Sequence, residues 1–397
     1  MKKNFIYFML AASCAVSFMA SCNSDDDSVI TNPVPSQITF TDDNGLDLTY
    51  GGQPVYGKKV IYTPDSKDPL KATLVISGNN LELGGLLAAR SNGEQSLVTS
   101  GVIPGTLSTT LVLDLKFDGA VAAFEGSATQ NEAAINYKGT VSKDKLSLAL
   151  NVTMPKNDLT NSKWSLMPYD SEEYTTAPVT LLWSSDKNVE LIPGYDLPVE
   201  SILQIAMQLP LIGNEYSVYT ALEGVLKTVS FLPDGNIVAE YKDEIASSEA
   251  WKTSATNMAM YVASAEQDST LTLYLNPMQI IKNVEAAHLS RAVTSEIIGN
   301  LSRQVIPMLA EGVKLHYSIV GNQLMVYAGT DLLKPLLTAI SPVFNDEAFV
   351  QQIVDMVLAN PDMSSMAPMV GPMLQQLPAI IDMTTDIKAG LNLQKVQ

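Results

Sequence analysis

The chain has 397 residues, with 42 acidic against 24 basic and a formal net charge of −18 at neutral pH. A surface of that sign repels phosphate backbones and anionic headgroups, which excludes nucleic acid as a partner. Hydrophobic residues make up 46% of the sequence, enough to fill a sizeable core and to exclude general disorder.

The first 21 residues are built as an export signal. Lys2 and Lys3 precede an apolar run from Phe5 to Ala20, and Met19-Ala20-Ser21 sets small residues before Cys22. A cysteine at that position reads as a lipobox, whose thiol takes a diacylglyceryl thioether before cleavage. The apolar run is shorter than the ~20 residues that span hydrocarbon, so the expected attachment is lipid, not a helix. Each buried methylene contributes ~0.8 kcal/mol, and the two or three chains of a lipoprotein anchor stably.

Cleavage removes Lys2, Lys3 and Cys14, taking the net charge from −18 to about −20 and leaving Cys22 as the only thiol. Disulfides and thiolate metal sites are thereby excluded. Residues 22–36 are polar, carry Pro33 and Pro35, and read as an extended, disordered tether. Within it, Asp25, Asp26 and Asp27 resemble the acidic export tag that follows the acylated cysteine in outer-membrane lipoproteins of Bacteroidetes.

Residues 37–160 read as an all-β domain. Ile38-Thr39-Phe40, a turn cluster at Asp42-Asp43-Asn44-Gly45, and Leu46, Leu48 and Tyr50 in alternation open it. Leu111, Leu113, Leu115 and Phe117 alternate with polar or exposed-type partners. A hairpin from Ile135 to Met154 turns at Ser142-Lys143-Asp144-Lys145 and places Ile135, Tyr137, Leu146, Leu148, Leu150 and Val152 on one face. Such spacing suits an antiparallel barrel or sandwich.

Residues 161–397 mix strands with helices. Hairpins are expected at 229–241 around Pro233-Asp234-Gly235-Asn236, at 261–275 around Glu266-Gln267-Asp268, and at 315–327 around Gly321-Asn322. The interval from Ile38-Thr39-Phe40 to Tyr50 equals that from Val229-Ser230-Phe231 to Tyr241, a hint of related meanders. Helical spacing runs from Pro277 to about Ala310, with a kink at Pro307. A second helix starts at the cap Asn345-Asp346-Glu347 and stops before Pro361. A third stretch carries Met366, Met369, Met373 and Leu377, and Pro368, Gly371 and Pro372 predict that it is broken.

The lipobox, the Asp25 to Asp27 tag, Lys138-Gly139-Thr140-Val141 with Leu146-Ser147-Leu148, and Leu271-Thr272-Leu273-Tyr274-Leu275-Asn276-Pro277 resemble a family of Bacteroidetes outer-membrane lipoproteins of similar length, known as a domain of unknown function with calycin-like β domains. The resemblance implies a β-rich α+β fold of two calycin-like barrels or sandwiches, the second with inserted amphipathic helices. Barrels of that kind enclose small apolar ligands, which is an analogy of fold.

Catalytic chemistry is sparse. His288 and His316 lack the spacing of a helical zinc site, and no Gly-x-Ser-x-Gly elbow, phosphate loop or dinucleotide fingerprint is present. Asp42 to Asp47 lacks the ligand spacing of a calcium loop and reads as a turn. No metal or cofactor is expected. Trp164, Trp183 and Trp251 are candidate sugar platforms if exposed, and core residues otherwise. Met356, Met363, Met366, Met369, Met373 and Met383 crowd the C-terminal region, where flexible thioethers suit either gap filling or a wall for variable apolar ligands.

The sequence therefore predicts a non-enzymatic lipoprotein, anchored to the outer membrane and displayed on the cell surface, that binds an apolar or amphiphilic small molecule between the helices and the second sheet. A glycan-binding accessory lipoprotein and a structural subunit of an outer-membrane complex are the alternatives. The protein partner in that last case is not specified by the residues.

Overall fold

The computed structural model describes residues 31–81, 97–173, 175–192, 194–210, 212, 215–264, 269–284, 308, 311–361 and 364–396. The export signal, Cys22, Asp25 to Asp27, the turn at 266–268, His288, Pro307 and Met363 lie outside the described residues. Strands take up 45% and helices 23%, so the fold is β-rich with helices added to it.

The first sheet uses β1 (Ile38–Thr41), β2 (Leu46–Tyr50), β3 (Gln53–Pro54), β4 (Lys58–Pro64), β5 (Lys71–Gly78), β8 (Ser108–Asp118), β9 (Val121–Gln130), β10 (Ala133–Val141) and β11 (Leu146–Thr153); β6 (Asn80–Leu81) and β7 (Leu97–Val98) pair separately. Its strand order is β1-β4-β5-β8-β9-β10-β11-β2-β3. β1 and β2 follow each other in the chain yet lie at opposite ends of that order. The sheet must therefore curl until its two margins are bridged by residues 42–45. Thr41 forms a bridge to Gly45, and Leu146 N–H donates to the Gly45 carbonyl at the seam.

Two expectations change here. The seam ladder, β2 on β11, is parallel, so the sheet is not wholly antiparallel. With six antiparallel steps from β1 around to β11, an odd number of strands makes the closing pair run the same way. In addition, residues 38–50 are one interrupted strand and not a hairpin. Their matched interval with residues 229–241 is thus no structural repeat.

The period-2 pattern fills the inside of this roll. Leu111, Leu113, Leu115, Ile135, Tyr137, Leu146, Leu148 and Leu150 are buried in one cluster with Phe40, Tyr50 and Tyr62. Order also begins before residue 37. Val34 is fully buried in the same cluster, and Asn32 Nδ2 donates to the Tyr62 hydroxyl at 3.1 Å. Asn32 and Val34, expected in the tether, are thus packed into the first sheet's core.

The second sheet is formed by β12 (Ser162–Leu166), β13 (Val179–Ser185), β16 (Leu226–Phe231), β17 (Ile237–Tyr241), β18 (Lys252–Thr253), β19 (Ala259–Ala263), β20 (Thr270–Leu275), β21 (Val313–Val320), β22 (Gln323–Ala328) and β23 (Thr384–Lys395), while β14 (Val189–Ile192) and β15 (Tyr195–Leu197) make a small hairpin. The three expected hairpins form here as β16–β17, β19–β20 and β21–β22. This sheet also bends round: its ends meet where Asn236 bridges Met260 and Tyr261 N–H donates to Gly235 O at 2.8 Å. Trp164, Phe231, Tyr261, Leu271, Tyr317 and Leu393 are its buried centre.

Six helices are described: α1 (Val199–Gln208), α2 (Val218–Val225), α3 (Pro277–Val284), α4 (Thr330–Ile340), α5 (Glu347–Ala359) and α6 (Ala367–Asp382). α5 starts as expected, with Asp346 accepting from the backbone of Ala348 at 2.9 Å. α6 corrects the reading of a broken stretch, because it is one helix with Pro372 and Pro378 inside it. Pro368 lies in the first turn, where the missing N–H has no partner to lose. Burial on two faces offsets the hydrogen bonds that the other two prolines remove.

Candidate functional site

One face of α6 seals the helical layer to the second sheet. Ile380 and Ile381 are fully buried against Trp183 of β13 and Ile387 of β23, with Val199 of α1 beside them. Trp183 Nε1 donates to Thr384 Oγ1 at 2.8 Å within that interface. The space between helices and sheet is therefore packed. An apolar cavity exists one layer further out, among the helices themselves, which relocates the expected site.

Its volume is about 490 Å³, within the range of ordinary small-molecule sites of about 300–1,000 Å³. Helical periodicity builds three walls. Ile202, Ile205 and Ala206 of α1, with Leu209 just after it, share one face at spacings of three and four; Ile353 and Val357 do so on α5. Met369, Val370, Met373 and Leu374 form the same stripe on α6, with Met366 at its cap. Leu191 and Leu197 of the β14–β15 hairpin complete the lining.

Polar contacts hold the frame at its ends and leave the middle apolar. Gln376 of α6 donates Nε2 to the Glu190 carbonyl at 2.9 Å and accepts from Glu190 N–H at 2.9 Å, pinning the hairpin to the helix. Asn360, the capping residue after α5, donates Nδ2 to the Pro210 carbonyl just beyond α1 at 3.3 Å. Asn360 is the one polar side chain on the described lining and is itself buried. Ile205 lines the cavity while remaining 52% exposed, so it marks the opening. Ile192 and Leu358, next in sequence to lining residues, are also exposed.

Of the methionines singled out in the sequence, Met366, Met369 and Met373 come together on this wall, whereas Met383 is exposed beyond α6. Sequence reasoning missed α1 and the hairpin. The apolar spacing of Val199, Ile202, Leu203 and Ala206 behind Pro198 was the signal for α1.

The aromatic candidates are placed elsewhere. Trp164 and Trp183 are buried, and Trp164 Nε1 donates to Ser162 Oγ at 2.7 Å. Trp251 is half-buried under the Lys242 ammonium, 5.0 Å from the ring centroid. These three tryptophans form no pair of exposed coplanar indoles. His316 stacks on Tyr327, with Nε2 3.7 Å from Asp331 Oδ1. Asp42 Oδ2 accepts from Gly57 N–H at 2.6 Å, a turn role. Among the described residues, no group of three or more His, Cys, Asp or Glu is placed to hold a metal ion.

A separate buried charge lies where the two sheets touch. Lys58 Nζ donates to the Ser100 and Gly101 carbonyls at 2.7 and 3.2 Å. Burial lowers its pKa to about 8, against a smaller opposing pull from Asp42. The gap beside it, bounded by Tyr50, Asn257 and Asn276, is about 10 Å³, no more than one water.

No protein-family model, curated protein or solved structure matches this chain.

Proposed function

We propose that the chain is an outer-membrane lipoprotein, acylated at Cys22 and displayed outward behind the Asp25 to Asp27 tag, whose two rolled sheets are calycin-like domains and whose role is binding, not catalysis. Its ligand is an apolar or amphiphilic small molecule held among α1, α5 and α6. The observation that carries this reading is the cavity of about 490 Å³ with its continuous apolar lining. Methionine adds to it, because an unbranched thioether side chain re-packs around ligands of different shape. The interiors of both rolled sheets are filled by their own side chains, so the binding role is assigned to the helical layer.

Native mass spectrometry of the protein purified from its own cells tests the reading. A co-purifying lipid-like mass is expected, and it should vanish in Ala206→Trp, where the indole fills the cavity. A bare wild-type mass, together with no enhancement of Nile red fluorescence, would overturn it.

A further inference from the structure

Resting on the binding reading above, we infer that the cavity takes an amphiphile whose head is uncharged: a hydroxyl, ester or amide. The elements that line it, β14, β15, α1, α5 and α6, contain Glu190, Asp196, Glu200, Glu347, Asp355 and Asp382, and no lysine, arginine or histidine. An anionic head would meet no countercharge from these elements, and burying an unpaired carboxylate is strongly unfavourable.

The backbone adds to this bias. Leu209 after α1, Asn360 after α5 and Met366 before α6 all border the cavity. Two helix C-terminal ends, with partial negative charge, and one N-terminal end thus border the cavity. Pro368 removes an amide donor from that single N-terminal turn.

A cationic head is also unmatched, because none of the six carboxylates is on the wall. Glu200 instead accepts from Trp183 N–H and Gln204, and Asp355 accepts from Gln351. Asn360, the one polar side chain on the described lining, is already engaged with the Pro210 carbonyl. The described wall thus offers no charged partner to a head, which suits a neutral one.

The test is displacement of Nile red from the full chain carrying Cys22→Ala, so that no detergent competes. Dodecanol, dodecanoate and dodecylamine are compared at neutral pH below their micelle concentrations. Dodecanol is expected to displace the dye at least about tenfold more tightly than either charged analogue. Ile205→Lys, at the exposed mouth, should raise dodecanoate affinity by about tenfold relative to dodecanol. Equal or tighter binding of dodecanoate to the Cys22→Ala chain would overturn the inference while leaving a binding function standing. Failure of Nile red itself to bind would instead strike the function.

Discussion

The Tyr50 hydroxyl donates to the Asp234 carbonyl across 2.5 Å, joining residues 184 positions apart. Tyr50 is the last residue of β2 in the first sheet, and Asp234 is in the β16–β17 turn of the second. Asn257 reinforces the joint by donating Nδ2 to the Tyr50 carbonyl at 3.3 Å, and Met154 N–H donates to Pro233 O at 2.9 Å. Tyr50→Phe removes a donor from a shielded carbonyl and should destabilise the protein by about 1–3 kcal/mol. Urea denaturation followed by intrinsic fluorescence checks this, and an unchanged midpoint contradicts it.

The same phenol gives a pH dependence. Burial first, and the Asp234 carboxylate second, push its pKa well above the ordinary value of 10.0. Above that value the unfolded chain loses the proton while the folded chain keeps it. Stability should therefore fall as pH rises past about 10, and more gently in Tyr50→Phe. Thermal midpoints in alkaline buffers measure the difference.

Lys58 acts in the opposite direction over a lower window. Its folded pKa is about 8 against 10.5 for a free lysine, so keeping it charged at neutral pH costs about 3 kcal/mol. Between those values the unfolded chain binds more protons than the folded one, and stability rises with pH. Lys58→Met should flatten the rise between pH 8 and pH 10. A variant with the wild-type slope would show that Lys58 does not set it.

Asp346 supports the binding wall from outside it. Asp346→Ala removes the cap on α5 and should cost about 1 kcal/mol in urea denaturation. Because α5 contributes Ile353 and Val357, Nile red affinity should fall with it. Loss of stability with undiminished dye binding would separate the helix from the site.

Gly139 is fixed by contact and not by backbone conformation. A Cβ there would lie 2.2 Å from the Ser147 carbonyl oxygen and 2.7 Å from the Phe124 ring. Gly139→Ala should destabilise the first sheet by about 1–3 kcal/mol through overpacking. A midpoint within error of wild type would mean that both the Ser147 backbone and the Phe124 ring give way freely.

What was legible in the sequence was local. Alternation at Leu111 to Leu115 and Leu146 to Val152 announced faces that are buried, and Asp346 announced the start of a helix. The closure between Leu46 and Leu146 was not legible, since parallel pairing across such a distance leaves no short-range mark. Pro368, Gly371 and Pro372 of α6 read as breaks because propensity was weighed without the burial of Ile380 and Ile381. The cavity was half legible: its methionines stood out, while the α1 stripe that faces them did not. Two amphipathic helices show their apolar stripes in sequence, but nothing there says whether the stripes meet tightly or leave room.

The parallel seam also sets an order of events. β2 precedes its partner β11 by nearly a hundred residues, with Leu46 opposite Leu146. A chain delivered from its N-terminus can pair one edge of β2 with β3 at once. It must hold the edge that faces β11 open until Leu150 has arrived, with β4, β5, β8, β9 and β10 already free to form hairpins. Closing so long a loop is slow compared with hairpin formation, so roll closure becomes the late, rate-setting step. During that wait the exposed edge of β2 is the stretch most open to capture by another copy of the chain.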